Sequence, residues 1–477
     1  MKHLAPAAAL VVILALLTGC TPSAPAATPS PQQVRAIWRT PANLVGKPQV
    51  VGDTIVSYAR VKQKLVIAAW DLGTGRLLWN TAAETSGEAP GIELEADAIT
   101  IGKTSYVAYL TRLPGSSWRD LVIAEAHTGL RHGAARMIVW PSSSPRSCSD
   151  DQAFCLQGYR EAAPDTEVNL RVDPLAPALT TDHTDGIPAN SRGIGNQIFA
   201  THARAPKGVE KLGRMVNDKV VWQRPYVDVF GKGTSSDYGW EWREEHDGII
   251  VGMGTPEECK ETDKSGKWVM TCDGTRARMV GLNNDTGTTV WSLDGFDYCP
   301  TASRVEGSTG DRIIACVNKV AKTVYGTKKN RWTLRSRARH TELVAVRQQT
   351  GEILWRTDLG TETGKGSANY FVTSQDRMVM TVHGSTNVYD LANGAATPAD
   401  ATTRLMCLRD RPELKLHWLN DKERTSYSIG EDVEPCDGNG KAIKEIPAEW
   451  VPAAGIDAGD GRWLLPTPGA MTLVQLS

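Results

Sequence analysis

The residues of this sequence with the clearest chemistry are its cysteines. Apart from Cys20 there are eight, and we expect an even number in an exported chain to form disulfides: Cys148, Cys155, Cys259, Cys272, Cys299, Cys316, Cys407 and Cys436. The spacing favours pairing each cysteine with its neighbour in this order, because each pair flanks a segment that resembles a hairpin or loop. Metal ligation is the alternative, but the chain has no Cys-x-x-Cys and no Cys–His cluster with zinc spacing. We therefore predict four disulfides and no metal site.

Catalytic motifs are missing from the sequence. It contains neither the His-Glu-x-x-His of zinc proteases nor a Gly-x-Ser-x-Gly elbow. The segment Gly360–Ser367 has the glycines of a phosphate loop. Its lysine follows the wrong gap, however, and Gly366 replaces the hydroxyl residue that would hold magnesium. The sequence thus indicates a protein that binds rather than one that catalyses.

Composition limits what the chain could bind. It has 477 residues, a formal net charge of -1 and 41% hydrophobic residues. Without a basic excess it is not expected to follow a nucleic-acid backbone. The chain contains fifteen Trp and only five Phe. Because indole is a flat ring with an N–H donor, tryptophan can pack between sheets and still bond a polar partner.

The first residues predict export and a lipid anchor. Leu4–Leu17 is an apolar run that is too short for a comfortable membrane span and has the size of a signal-peptide core. It leads into Leu17-Thr18-Gly19-Cys20, which resembles the lipobox of bacterial lipoproteins. That resemblance implies acylation of Cys20 and cleavage before it, whereas a chance cysteine in an ordinary secretory peptide is the alternative. We predict a signal peptide over 1–19, a lipidated cysteine and tether rich in Pro, Ala, Ser and Thr over 20–34, and a folded domain over 35–477 on the extracytoplasmic face of the cell membrane.

One pattern occurs three times, in Leu65–Trp79, Met279–Trp291 and Leu343–Trp355. Each copy has an apolar strand, a polar turn ending in Thr-Gly, and a second strand ending in Trp. A glycine supplies the positive φ that a tight hairpin needs. In each copy the turn glycine precedes the tryptophan by four residues: Gly75 and Trp79, Gly287 and Trp291, Gly351 and Trp355. Weaker copies without the tryptophan begin at Leu121 and Asn387.

These units resemble the repeats of quinoprotein-type β-propellers, called PQQ-like repeats, in which Ala-x-Asp-x-x-Thr-Gly-x-x-x-Trp closes each four-stranded blade. The resemblance covers the chain from Val34 onward and implies an all-β propeller. Strand starts near 48, 91, 147, 192, 245, 300, 370 and 453 predict eight blades, with seven as the alternative. The best helical candidate, Pro412–Lys422, is short, so the chain is predicted to be mostly strand and loop.

The two ends of the domain predict how a ring would close. Arg35–Thr40 is a lone strand with a tryptophan that precedes any blade, and the last residues supply inner strands only. In such propellers the N-terminal strand completes the last blade and removes free sheet edges. We therefore expect Trp38 to lie in the blade that the C-terminal strands complete.

The resemblance also raises an enzymatic alternative. Many quinoprotein dehydrogenases place a disulfide of adjacent cysteines against the quinone, and they use calcium ligands and an acidic base in the axial channel. This sequence has no two adjacent cysteines, and nothing in it marks the other groups. A quinone- or metal-dependent oxidoreductase, with PQQ and calcium, is kept as the alternative, and no cofactor is predicted otherwise.

Two features are candidates for binding. Tyr238, Trp240 and Trp242 alternate along one segment, so a strand would place them on one face, where they could stack on sugar rings or a protein. Packing between blades is the alternative interpretation. The second feature is the segment from Lys319 to His340, which has no acidic residue, contains Trp332 and carries these basic residues: Lys319, Lys322, Lys328, Lys329, Arg331, Arg335, Arg337 and Arg339.

We predict that this basic segment is a protruding hairpin. Outside a membrane it could meet anionic lipid headgroups or an anionic wall polymer. A solvated hairpin that only protects a sheet edge is the alternative. The sequence as a whole therefore predicts a non-catalytic binding or scaffold lipoprotein that engages an envelope protein or polymer.

Overall fold

The structure is a computed structural model of the whole chain. It describes residues 33–62, 64–86, 94–148, 151–181, 191–193, 198–201, 210–216, 219–234, 240–254, 259–264, 267–297, 311–328, 331–363, 374, 376–411, 414–417, 423–426 and 430–477. For many strand residues only the backbone is described, among them 240–246, 263–264, 267, 327–328 and 331–337. The predicted signal peptide, Cys20 and the tether up to residue 32 lie outside these ranges.

Antiparallel sheets make up the first part of the described chain. After β1 (Val34–Pro41), a four-stranded sheet contains β2 (Gln49–Val51), β3 (Thr54–Val61), β4 (Lys64–Asp71) and β5 (Leu77–Ala82). The next four strands are β6 (Ala98–Ile101), β7 (Thr104–Arg112), β8 (Arg119–Glu125) and β9 (Met137–Pro141). They continue through a β9–β11 pairing into β10 (Arg146–Ser147), β11 (Phe154–Arg160), β12 (Ala163–Val172) and β13 (Thr180–Thr181).

The middle of the chain forms three further groups of strands. One four-stranded sheet contains β14 (Ser191–Gly193), β15 (Ile198–Thr201), β16 (Lys211–Val216) and β17 (Lys219–Pro225), and α1 (Tyr226–Phe230) follows it. The next sheet contains β18 (Trp240–His246), β19 (Ile249–Gly254), β22 (Arg278–Asn283) and β23 (Thr289–Asp294). Between β19 and β22 the chain inserts β20 (Cys259–Lys264), β21 (Lys267–Asp273) and a short 3-10 helix, Gly274–Arg276.

A six-stranded sheet joins this insertion to later strands: β24 (Phe296–Asp297), β25 (Arg312–Lys328), β26 (Arg331–Arg347) and β27 (Ile353–Thr363). Three smaller sheets follow, formed by β28 (Arg377–Val382), β29 (Ser385–Asp390) and β30 (Ala396–Pro398), by β31 (Arg404–Asp410) with β34 (Glu431–Asp437), and by β32 (Leu414–His417) with β33 (Glu423–Ser426). A second 3-10 helix (Ala448–Trp450) and α2 (Val451–Ala454) precede β35 (Ile456–Asp457), β36 (Arg462–Thr467) and β37 (Ala470–Leu476).

β32 lies within Pro412–Lys422, the best helical candidate of the sequence, so Leu414–His417 form a strand and not a helix. These four residues alternate between apolar and basic side chains, which suits a strand with one exposed face.

The core lies between successive sheets. One buried cluster joins Leu464 and Leu473, near the C-terminus, to Ile55 and Ala68 of the β2–β5 sheet. The next joins that sheet to Val107 and Val122, and similar clusters lie between later neighbours. The all-β class is confirmed, and the sheets follow one another in chain order as the blades of a β-propeller do. The number of blades and the closure of a ring stay predictions.

The first strand joins the last. β1 pairs antiparallel with β37, with Trp38 opposite Leu473, and Gln33 and Ser477 exchange backbone hydrogen bonds. The prediction that Trp38 lies in the sheet of the C-terminal strands is confirmed.

Candidate binding surface

A tryptophan joins one sheet to the next at five junctions. In each, the indole N–H donates to the carbonyl of the residue three positions before a turn glycine of the following sheet, at 2.8–3.0 Å. The donor and acceptor pairs are Trp38 with Leu72, Trp79 with Ala126, Trp222 with Asn284, Trp291 with Gln348, and Trp355 with Leu391. The tryptophan therefore acts between repeats, not within its own.

The turn glycine lets the indole approach this closely. A Cβ on Gly287 would lie 2.4 Å from the Trp222 ring, and one on Gly351 would lie 2.8 Å from Trp291. Gly75 faces Trp38 in the same way, while Trp79 covers Gly129. Because these glycines also have positive φ, both the backbone and the close contact exclude a side chain.

Sequence reasoning missed part of this set. Trp222 lies on β17, which follows a hairpin without a Thr-Gly turn, and Gly129 and Gly394 lie in the two weaker copies. The signal that could have found these residues is the turn glycine itself, because each turn glycine packs against a tryptophan from the preceding repeat. Since the indole N–H donors are bonded to backbone, these tryptophans hold the fold together and are not a binding surface.

Two predicted disulfides are confirmed, Cys148–Cys155 and Cys407–Cys436. Cys316 is also disulfide-bonded, and Cys299, its predicted partner, lies outside the described residues. Cys259 and Cys272 are opposite each other in the register of β20 and β21, and their pairing stays a prediction.

The carboxylate of Asp97 joins the first strand of the β2–β5 sheet to two strands of the following sheet. Its Oδ2 accepts from the backbone N–H of Ser147 at 2.5 Å and from its hydroxyl at 3.1 Å. Its Oδ1 accepts from the backbone N–H of Ala98 at 3.0 Å and from the amide of Gln49 at 3.3 Å. These bonds give Asp97 a role in joining β2, β6 and β10.

The aromatic candidate lies on the first strand of a sheet. Trp240 and Trp242 are two residues apart on β18, opposite Gly254 and Gly252 of β19. Tyr238 lies outside the described residues, so binding by these three residues stays a prediction.

The basic segment is a hairpin, as predicted. The proximal residues of β25 and β26, such as Ile314 and Val344, belong to the core. Residues 319–328 and 331–340 continue beyond that core for about 30 Å at ~3.3 Å per residue. Lys328, Arg331 and Arg335 lie in these strands, whereas Lys329 lies outside the described residues.

The β20–β21 hairpin runs beside this extension, with Val269 opposite Gly326 and Met270 opposite Tyr325. We call the four-stranded assembly the arm: β20, β21 and residues 319–328 and 331–340. It contains ten Lys or Arg and three Asp or Glu among its described residues. The arm is therefore strongly basic in a chain whose formal net charge is only -1.

Ion pairs hold the base of the arm. Glu342 accepts from Lys319 at 3.3 Å and from Arg356 at 2.8 Å. Farther along, His340 Nε2 lies 3.0 Å from Asp358 and Nδ1 lies 2.8 Å from Thr361 Oγ1. These contacts cross from β25 and β26 to β27, so they orient the extension relative to the core.

Exposed apolar side chains accompany the charge. Trp268 is 47% exposed and Val320 is 44% exposed, and Met270 and Tyr325 are half-buried. Because residues two apart on a strand share a face, Trp268 and Met270 lie on one face with Tyr325. Exposed aromatic side chains beside cations are typical of binding surfaces.

Within the described ranges, no helix has the length and hydrophobicity to cross a membrane. Among the same residues, no three His, Cys, Asp or Glu side chains come together in a group able to hold a metal ion.

No known protein-family profile matches the chain, and no curated protein matches it. Among solved structures it is similar to BamB from Moraxella catarrhalis, at 11% identity and a TM-score of 0.35, over 93% of this chain and 98% of that one. It is also similar to quinohemoprotein alcohol dehydrogenase from Comamonas testosteroni, at 10% identity and a TM-score of 0.37, over 92% and 76% of the two chains. A third similar structure is the β-propeller domain of the Trilobed protease from Pyrococcus furiosus, at 10% identity and a TM-score of 0.32, over 85% and 98%. Similarity at this level says nothing of activity or partner.

Proposed function

We propose that this chain is a non-catalytic binding module of the bacterial cell envelope and that the arm is its binding element. The observation that carries the proposal is the extension of β25 and β26 beyond the core, paired with β20–β21 and rich in Lys and Arg. A solvated hairpin that only protects an edge has no need of an inserted partner hairpin, ion pairs at its base or an exposed tryptophan.

The proposed location is outside the cytoplasmic membrane. Disulfides persist in oxidising compartments, and the described chain contains Cys148–Cys155, Cys407–Cys436 and a disulfide-bonded Cys316. The signal-like run before Cys20 and the tether after it support an acylated cysteine as the anchor. A tether of this composition spans roughly 40 Å at ~3 Å per residue, so the domain would stay near the bilayer.

Co-sedimentation with isolated bacterial envelopes tests the binding role. Cys20→Ser in the mature chain removes any contribution from an acyl group, and Lys260→Glu with Lys322→Glu reverses two exposed charges of the arm. A matched control, Lys103→Glu with Lys444→Glu, reverses two exposed lysines that lie outside the arm. We expect the arm variant to sediment less than the unmodified chain and the control to sediment as the unmodified chain does.

The alternative function, a quinone- or metal-dependent oxidoreductase, is tested on the same protein. After loading with PQQ and calcium, dye reduction is measured on alcohols and sugars. We expect no turnover above protein-free controls. Robust turnover, or equal sedimentation of the two charge-reversal variants, would overturn the proposal.

A further inference from the structure

The two hairpins of the arm end side by side. The last pair of β20 and β21 is Lys264 with Lys267, and the last pair of β25 and β26 is Lys328 with Arg331. Val269 is opposite Gly326, so two residues farther along each strand Lys267 and Lys328 reach the same level. We call these four residues the arm tip: Lys264, Lys267, Lys328 and Arg331.

Aromatic residues follow directly behind the arm tip. Trp268 is the next residue after Lys267 and is 47% exposed. On the neighbouring hairpin Trp332 follows Arg331 and lies opposite Thr327 in the register. The topology therefore places two tryptophan positions at one level, one residue behind four basic positions.

From this order of residues we propose that the arm tip docks on an anionic lipid bilayer, an inference that rests on the proposed binding function. Lys and Arg side chains pair with lipid phosphates at the surface, and an indole sits at the level of the headgroups with its N–H in the polar layer. An indole can also stack on a sugar ring, but such stacking does not require basic residues one position ahead of the ring, whereas a bilayer places phosphates directly in front of the layer in which an indole sits. The combination therefore favours a bilayer over a wall polymer as the occupant.

The charges and the ring contribute separately to this docking. Each cation near an anionic leaflet raises partitioning by about fivefold, and the effect decays within a Debye length. Insertion of Trp268 to headgroup depth buries apolar surface and is independent of salt. Binding of the arm to a bilayer should therefore have two components: a salt-sensitive one from the cations and a salt-insensitive one from Trp268.

Vesicle sedimentation provides the test, using the mature chain with Cys20→Ser and phosphatidylcholine vesicles with or without phosphatidylglycerol. Lys264→Glu with Lys267→Glu should lower partitioning to anionic vesicles by more than about tenfold, and Lys328→Glu with Arg331→Glu should do the same. The control pair Lys103→Glu with Lys444→Glu should bind as the unmodified chain does. Circular dichroism and the thermal midpoint show whether each variant is folded.

Trp268→Ala gives the second arm of the test. It should weaken partitioning severalfold at low salt and at high salt alike, because it removes the apolar component. Partitioning that is equal for all variants, or equal with and without phosphatidylglycerol, would overturn the inference.

Envelopes stripped of lipid separate this failure from failure of the proposed function. If the chain binds stripped envelopes and ignores vesicles, it is a binding module whose occupant is a polymer or protein, and only the lipid inference falls. If it binds neither intact envelopes nor vesicles, both fall.

Discussion

At the residue scale, the excess of tryptophan over phenylalanine follows from the chemistry of the sheet junctions. Each junction indole donates to a backbone carbonyl in a turn. The later residues of that turn already form their own backbone hydrogen bonds, as Gly75 does with Asp71. Phenylalanine could fill the same space, but it would leave that carbonyl without the indole donor at a cost of about 1–3 kcal/mol. Trp222 and Trp291 illustrate the case, since both are more than nine-tenths buried.

The glycine under the indole provides a sharp test. Gly287 has φ +68° and a Cβ there would lie 2.4 Å from Trp222, whereas Gly102 has φ +63° and open space around it. Gly102→Ala should lower the free energy of unfolding by about 1–2 kcal/mol, from the backbone alone. Gly287→Ala should add about 1–3 kcal/mol for the displaced ring. Urea unfolding measures both, and equal losses would show that the indole contact contributes nothing.

Buried tyrosines predict how stability depends on alkaline pH. Burial raises the pKa of Tyr109 from 10.0 to about 12, and burial raises that of Tyr58 as well. The folded chain therefore holds these phenolic protons more tightly than the unfolded chain. This stabilisation is complete below pH 10 and is lost as the pH rises from 10 toward 12, by at most about 1.4 kcal/mol per pH unit for each group.

Replacing one phenol should reduce that slope. Tyr109→Phe is expected to flatten the decline of the unfolding free energy between pH 10 and about 12, because phenylalanine has no proton to lose. Denaturant titrations across this range compare the variant with the unmodified chain. An unchanged slope would mean that Tyr109 does not titrate differently in the two states.

At the element scale, local spacing predicted hairpins well and predicted their neighbours poorly. The Thr-Gly turns at Gly75, Gly287 and Gly351 gave the strands on either side, because a positive-φ residue between apolar runs acts over a few residues. The tryptophan that donates to each of these turns lies 34 to 62 residues earlier in the sequence. That distance is set by which sheets pack together, so the role of Trp222 was not visible in its own repeat.

The arm shows the same limit. A run of basic residues from Lys319 onward was visible in the sequence, and its hairpin form is confirmed. Lys264, Lys267 and Trp268 were not associated with it, since an inserted hairpin brings them there from the preceding sheet. A non-local strand pairing thus created the candidate site, and single-sequence spacing carries no information on such a pairing.

Disulfides stabilise the fold by closing loops, which restricts the conformations of the unfolded chain. Cys407–Cys436 spans 29 residues and ties β31 to β34 across the β32–β33 hairpin, and Cys148–Cys155 spans 7. The chain-entropy relation gives about 3.6 kcal/mol for the longer loop and about 2.4 kcal/mol for the shorter one. Paired Cys→Ser replacement should therefore lower the unfolding free energy more at 407 and 436 than at 148 and 155. The reverse order in denaturant titrations would show that local packing, not loop length, decides.

At the scale of the whole molecule, the strand that begins the domain lies in the sheet that ends it. β1 bonds to β37 on one side, while Trp38 donates to Leu72 of the next sheet and covers Gly75. Because β1 both pairs with the last strand and contacts the next sheet through Trp38, its loss should weaken more than one sheet. The exposed edge of β37 would also become available to other chains.

Truncation separates the strand from the tether. A chain that begins at Gln33 keeps β1 and should unfold at the same temperature as one that begins at position 20 with Cys20→Ser, because the intervening segment has no core-forming residues. A chain that begins at Ala42 should unfold at a markedly lower temperature and associate at high concentration, since it loses the β37 pairing and the Trp38 contact together. Differential scanning calorimetry and light scattering measure the two effects. Equal transitions for the chains beginning at Gln33 and Ala42 would mean that β1 is only an appended edge, and the ring proposed from the repeats would then have to close without it.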